Sequence, residues 1–235
     1  MKVVILAGGL GTRMSEITKT IPKPMVKILD KPILIHIMEH YYKFGFDEFY
    51  IALGYKGNII RNYFKKNRFD WKVHLIETGK NSMTGGRLKR LKKYLNNEKN
   101  FCFTYGDGLS DINIRESIKF HINQKKLVTL SGVQAPGRYG SLDCDGIQVK
   151  SFVEKPKGEN SYINGGFFVI SKKALKYIKG DDTSWEIDTL KIIAKKKELI
   201  AYKHKGFWHA MDTLRDKNYL ENLWSQKKAP WKLWD

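Results

Sequence analysis

Residues 2–13 read Lys2-Val3-Val4-Ile5-Leu6-Ala7-Gly8-Gly9-Leu10-Gly11-Thr12-Arg13, and the reading of this stretch decides the fold. Lys2 to Ala7 is a short apolar run rich in β-branched residues, the composition of a buried strand, and it breaks at once into a glycine-dense loop. Glycine has no Cβ, so an anion can come close to the main-chain N–H groups of such a loop. Ten residues past Arg13, Lys23 stands between Pro22 and Pro24, which presents a second cation on a stiff, non-helical segment near the loop. Together they suggest a phosphate cradle. No Gly-Lys-Ser/Thr closes the loop, and Met14 stands where a dinucleotide fingerprint needs its third glycine, so neither common phosphate motif applies. On these residues alone a plain strand-to-helix turn stays open.

Working outward, the chain of 235 residues is 42% hydrophobic and 13% aromatic, which suits one domain with a full core. No apolar run approaches the roughly 18 residues of a membrane span, and the N-terminal run is too short for a signal peptide, so a cytoplasmic protein without membrane insertion is expected. Cys102 and Cys144 show neither metal spacing nor a disulfide framework and read as structural thiols. The formal charge of +19 comes mostly from lysines scattered in pairs such as Lys65–Lys66 and Lys92–Lys93, with one triplet at Lys195–Lys197. No recognition-helix, RNA-recognition or zinc motif accompanies them, so they read as solvated helix faces and no specific nucleic-acid partner is expected.

Helix and strand alternate through the first half: a helix over Pro32 to Phe44 ended by Gly45, a strand over Phe49 to Leu53, a short helix over Ile59 to Phe64 and a strand over Lys72 to Ile76. A helix from Met83–Gly86 to Leu95, with Arg87, Lys89 and Arg90 on its polar side, precedes a strand over Phe101 to Tyr105. This alternation predicts an α/β fold with a mostly parallel sheet. In the second half, strands are expected at Val128 to Val133, Gly146 to Val153 and Gly165 to Ile170, brief helices at Lys172 to Ile178 and Glu186 to Lys195, and a last helix from Thr213 to Trp224.

Ligands of open α/β sheets bind beyond the carboxyl ends of strands, where the Gly8 loop and Asp107 both fall. Gly106 and Gly108 leave room around Asp107 for a phosphate and a metal, and hard Mg²⁺ favours carboxylate oxygens, few protein ligands and substrate phosphates. Asp212, before a helical run, is either a helix cap or a second carboxylate for that ion.

LAGGLGTR (Leu6 to Arg13) followed by PKPM (Pro22 to Met25) resembles the signature of the sugar-1-phosphate nucleotidylyltransferases. The resemblance runs along nearly the whole chain, through KPILIHIM (Lys31 to Met38), GYKG (Gly54 to Gly57), NSMTGGRLKR (Asn81 to Arg90), FTYGDG (Phe103 to Gly108), EKPKG (Glu154 to Gly158), INGGFFV (Ile163 to Val169), GFW (Gly206 to Trp208), MDTLRDK (Met211 to Lys217) and APWK (Ala229 to Lys232). It is nearest the branch of that family that joins CTP to glucose 1-phosphate. It implies an α/β, Rossmann-like nucleotidyltransferase fold with a mixed, mostly parallel central sheet, residues 1–110 forming the nucleotide-binding half and 111–235 a sugar-binding lobe.

The implied reaction is attack of a sugar-1-phosphate oxygen on the α-phosphorus of CTP, with pyrophosphate leaving in line. The resemblance assigns catalysis to Arg13, Lys23 and Asp107, and Mg²⁺ to Asp107 and Asp212. It assigns the nucleotide to Leu6, Ala7, Gly8, Gly9, Leu10, Gly11, Thr12, Arg13, Lys23, Ser82, Gly85, Gly86, Arg87 and Gly106. The sugar phosphate falls to Tyr139, Gly140, Glu154, Lys155, Asn164, Gly165 and Trp208. Read without it, Ser82 is as good a helix cap and Gly85 and Gly86 only permit close packing, while Trp185 and Trp208 are open between packing on the sugar face and serving as core aromatics. Between Phe64 and Val73 the chain is shorter than that branch, and His209–Ala210 departs from its pattern beside the sugar site. A homo-oligomer is expected. The same reaction with another nucleoside triphosphate or another phosphorylated sugar, or a catalytically silent binding subunit, are the competing readings.

Overall fold

The computed structural model describes residues 1–135, 141–145, 147–153 and 162–234. The opening apolar run forms strand β1 (Val3–Leu6), buried at every position. Joining it in one seven-stranded sheet are β2 (Glu48–Leu53), β3 (Lys72–Glu77), β4 (Asn100–Tyr105), β5 (Val128–Val133), β6 (Ile163–Ser171) and β7 (Leu199–His204), in the order β7-β5-β6-β4-β1-β2-β3. β1 pairs in parallel with β2 and β4, β2 with β3, and β7 with β5. Only β6 runs against its neighbours β4 and β5. The sheet is therefore mixed and mostly parallel, as the alternation of elements predicts.

Such a sheet has both faces covered. Val3 and Ile5 point into one core with helix α1 (Ile33–Lys43), Ile60 of α2 (Gly57–Lys66), Ile114 of α4 (Ile114–Gln124) and Leu220 of α5 (Leu214–Ser225). Val4 and Leu6 point into the other with Leu88 of α3 (Thr84–Arg90) and with Trp185, Leu190 and Ile193. Trp185 is fully buried, edge-on to Phe103 and Phe168, so it is a core aromatic. Cys102 is likewise a buried free thiol, and burial pushes its pKa up to about 12.

Several elements differ from expectation. The helix after Thr84 tightens into a 3₁₀ turn over Leu91–Leu95, and Arg87, expected on its polar side, is only 4% exposed. α4 and β7 have no counterpart in the sequence reading. α4 mixes β-branched and charged residues, and its clearest signal is local: the Asn113 side chain accepts the Glu116 backbone N–H as an N-cap. The strand expected over 146–153 is the second arm of a hairpin, Gln148–Val153 against Ser141–Asp145. No helix among the described residues is long and apolar enough to cross a membrane.

Candidate active site

β1 and β4 lie side by side, so the two loops leaving their carboxyl ends emerge together. Gly106 sets how close they come: a Cβ there would lie 2.7 Å from the Leu6 carbonyl oxygen and 3.0 Å from Pro24. Gly11 takes φ +66°, a left-handed value natural to glycine, and a Cβ on it would meet Lys23 Cβ at 3.1 Å. Lys23 is thus pressed between the glycine loop and the start of the Asp107 loop. Gly9 faces open space and Leu10 is exposed, which leaves the crest of the loop accessible.

The second carboxylate arrives from the far end of the chain. Gly108–Ser110 pairs antiparallel with Trp208–Ala210, and the Met211 N–H then donates to the Asp107 carbonyl at 2.9 Å. This ladder brings Asp212 beside Asp107. Lys23 Nζ donates to Asp107 Oδ2 at 2.6 Å and to Asp212 Oδ1 at 2.7 Å, while Arg13 donates to Asp212 Oδ2 at 2.6 Å. Burial alone would lower the pKa of Lys23, but the charges and hydrogen bonds of Asp107 and Asp212 outweigh it, and the net shift is upward. The ammonium is firmly charged. Arg13, by contrast, has a side chain 71% exposed and reaches across the mouth of the site.

Asp212 is not the helix cap. Thr213 caps α5: its hydroxyl accepts the Asp216 N–H, and the Asp216 carboxylate accepts the Thr213 N–H in return, a full capping box. Asp216 also accepts the Asp212 N–H at 3.1 Å and lies 3.0 Å from His209 Nε2. The cap therefore fixes the Asp212 backbone and leaves its carboxylate to the cations. Asp216 is a site-shaping residue that the sequence reading passes over, although Thr213-x-x-Asp216 is a readable capping motif.

Arg87 is spent on backbone. Its guanidinium donates to the carbonyls of Leu53, Gly79 and Lys80 and to Thr78 Oγ1. It also occupies the space a Cβ on Gly8 or Gly54 would need. One side chain thereby locks the phosphate-loop candidate, the turn after β2 and the segment before α3 to one another. Gly85 and Gly86 pack directly on the 181–185 backbone, where a Cβ on Gly86 would sit 2.3 Å from the Asp181 carbonyl oxygen, and the Gly86 N–H donates to Thr183. Ser82 is half-buried, and the N-cap position of α3 falls to Met83 instead.

On the other side of β4, Trp208 Nε1 donates to the Gly165 carbonyl at 2.7 Å, and the Asn164 amide oxygen accepts the Gly166 N–H. Asn164, Gly165 and Trp208 are thus gathered beside the Asp107 ladder. Tyr105, next to Gly106, donates to Glu186, whose carboxylate also accepts from Thr84 and Ser184. That clasp ties α3 to the carboxyl end of β4, and no motif in the sequence announces it. Tyr139, Gly140, Glu154 and Lys155 lie outside the described residues.

Among the described residues no group of three or more His, Cys, Asp and Glu is arranged to hold a metal. The Asp107–Asp212 pair is nonetheless a suitable partial shell for a hard divalent cation: both carboxylates already converge on one cationic nitrogen, and Mg²⁺ commonly takes one or two carboxylates and fills the rest with water and phosphate oxygens.

The model of the nucleotidyl transferase family matches residues 2–221. A glucose-1-phosphate cytidylyltransferase of Salmonella typhi is 49% identical over a 257-residue alignment that covers all of both chains, and a probable glucose-1-phosphate cytidylyltransferase of Bacillus subtilis is 40% identical, again with full coverage. The Salmonella alignment is longer than this chain, so that relative carries segments absent here. Among solved structures, HddC from Yersinia pseudotuberculosis complexed with GMP-PN superposes with a TM-score of 0.76 at 32% identity, covering 95% of this chain and 99% of HddC.

Proposed function

The chain belongs to the nucleotidyl transferase family, and within it we propose that the protein transfers CMP from CTP to glucose 1-phosphate, giving CDP-glucose and pyrophosphate. One observation carries the catalytic part of this reading: a single ammonium, Lys23, is gripped by both Asp107 and Asp212 directly beneath an open glycine loop. The choice of base and sugar rests on the whole-length similarity to relatives named for CTP and glucose 1-phosphate.

In this reading an oxygen of the sugar phosphate forms a bond to the α-phosphorus while the bond to the bridging α–β oxygen breaks and pyrophosphate departs with the electron pair. No covalent enzyme intermediate is needed. The work is to hold two polyanions in line and to offset the charge that grows on the α-phosphoryl oxygens. Lys23, a compact point charge fixed at the base of the loop, serves the α-phosphate. Arg13, exposed and fork-shaped, suits the departing β- and γ-phosphates. The N–H groups between Leu6 and Thr12 line the approach, and Arg87 holds that loop in shape rather than spending its charge on the ligand. Asp107 and Asp212 would hold Mg²⁺, which when bound supplies charge neutralisation to the triphosphate.

In this reading Asn164, Gly165 and Trp208 meet the hexose, and the resemblance adds Tyr139, Gly140 and Glu154 for the sugar and Lys155 for its phosphate. Residues 1–110 then serve the nucleotide and 111–235 the sugar within one domain. The protein would act as a homo-oligomer in the cytoplasm, where nucleoside triphosphates are found.

Pyrophosphate release measured across four nucleoside triphosphates and a panel of sugar 1-phosphates tests the proposal, with CTP and glucose 1-phosphate expected to give the highest kcat/KM. No turnover with CTP would overturn it. The guanosine nucleotide analogue bound by HddC favours including GTP as the leading alternative. Release with GTP alone would transfer the chemistry to another base, and silence with every pair would leave a binding subunit.

A further inference from the structure

The end of the sheet opposite the glycine loop carries a second, unassigned cavity. It has a volume of about 720 Å³ and lies at the amino ends of β4 and β5 and the end of the antiparallel β6. β4 separates it from Asp107 by six residues of strand, roughly 20 Å at the usual rise per residue. Seven lysines line it against a single acidic residue, Glu98. They come from three separate segments: the 3₁₀ turn over Leu91–Leu95 with the residues that lead from it into β4, the end of α4 and the 3₁₀ turn after β6.

Within the described chain these charges have little to satisfy them. Lys172 donates to the carbonyl and the side chain of Asn96, and Lys126 reaches Glu198 at 3.9 Å. Among the described residues Lys99, Lys125 and Lys173 make no ion pair. Like charges gathered around a concavity with low-dielectric walls raise one another's potential and concentrate counter-ions there. A solvated helix face would not need the concavity.

Two further features separate this cavity from scattered surface charge. His121, 2% exposed, forms part of its wall, and its Nδ1 lies 2.9 Å from Thr129 Oγ1. Burial lowers the His121 pKa to about 4, so the wall holds a neutral, polar imidazole as well as ammonium groups. Ile122, 52% exposed, and Leu127 add an apolar flank. Cations, one neutral imidazole and an apolar strip in a cavity of this size match a nucleotide-sized polyphosphate better than a lone phosphate.

We infer that this lysine-lined cavity is a second binding site, for a small polyphosphorylated molecule of the nucleoside di- or triphosphate class, separate from the catalytic centre. The inference is independent of which base and sugar the enzyme uses.

Calorimetric titration of the full chain with inorganic tripolyphosphate, at roughly physiological ionic strength where diffuse attraction is screened, tests it. Wild-type protein is expected to bind a second equivalent that persists in Lys23→Ala. The paired substitution Lys99→Glu with Lys173→Glu should weaken that equivalent by about tenfold or more. Lys65→Glu with Lys66→Glu, which changes net charge equally on exposed positions of α2, should weaken it by less than about twofold. Retained turnover in both double variants reports that they fold, and the comparison of wild type with Lys23→Ala needs neither. A single equivalent lost with Lys23→Ala overturns the inference, as does equal weakening by the two pairs. Single-stranded RNA that binds this face and excludes tripolyphosphate would replace it with a nucleic-acid surface.

Discussion

At the carboxyl ends of the parallel strands, two cations and two carboxylates are linked by hydrogen bonds of 2.6–2.7 Å, whereas at the amino ends seven lysines share a cavity with one glutamate. Both ends suit anions, by opposite means. The catalytic end fixes few charges in exact mutual geometry, and it keeps Lys23 charged despite burial because the carboxylates outweigh desolvation. At the other end most charges lack an ion-pair partner among the described residues, each is individually weak and only the sum matters. Chemistry depends on charge held still, as capture of a ligand does not.

Substitutions sharpen that contrast. Lys23→Ala is expected to lower kcat by roughly 10²–10³-fold in a pyrophosphate-release assay, because it removes the best-held cation of the site. Near wild-type turnover would erase the distinction between the two ends. Asp107→Asn should cost on the order of 10²-fold and raise the divalent-ion concentration needed for half-maximal rate; an unchanged ion requirement would move the metal elsewhere.

Arg87→Ala leaves the Gly79 and Lys80 carbonyls without this donor, while Leu53 keeps the Thr78 N–H and hydroxyl, and opens a void beneath Gly8. A loss of about 2–4 kcal/mol in urea unfolding is expected, with a rise in KM for the triphosphate larger than the fall in kcat. A fall in kcat alone would instead make Arg87 a contact to the reacting phosphate. The smallest effect belongs to Asp216→Asn, about 1 kcal/mol at neutral pH. Burial opposes ionisation of Asp216, but the Thr213 hydrogen bonds and His209 overcome it and hold its pKa below the usual carboxylate value. Its stabilisation is therefore complete above the unfolded-state pKa of about 3.9 and fades as pH falls through the lower folded value. The Asn variant should lose that part of the acid dependence, as thermal melts from pH 6 to pH 2 would show.

Much of the geometry around the Gly8 loop is legible because its signals are local. Gly8 to Arg13, Pro22-Lys23-Pro24 and Gly106-Asp107-Gly108 are contiguous strings whose geometry follows from glycine and proline alone. The pairing of Asp107 with Asp212 depends on a ladder between segments a hundred residues apart, and composition carries no trace of it. Arg87 looked like a surface residue because helical periodicity puts it with Lys89 and Arg90, and only the turn after β2 and the Gly79–Lys80 carbonyls turn it inward. The lysine cavity was hidden for the same reason: its members sit in three separated segments and look like ordinary solvated charge until the fold gathers them.

The bond from Met211 N–H to the Asp107 carbonyl has a consequence for how activity is acquired during synthesis. β1, the glycine loop and Asp107 after β4 are all made long before Asp212. Asp212 cannot dock until the last short strand and the cap of α5 have followed. A nascent chain that has not yet reached Asp212 would therefore display the seven strands of the sheet and no paired carboxylates, so the pairing of Asp107 with Asp212 follows sheet formation rather than accompanying it.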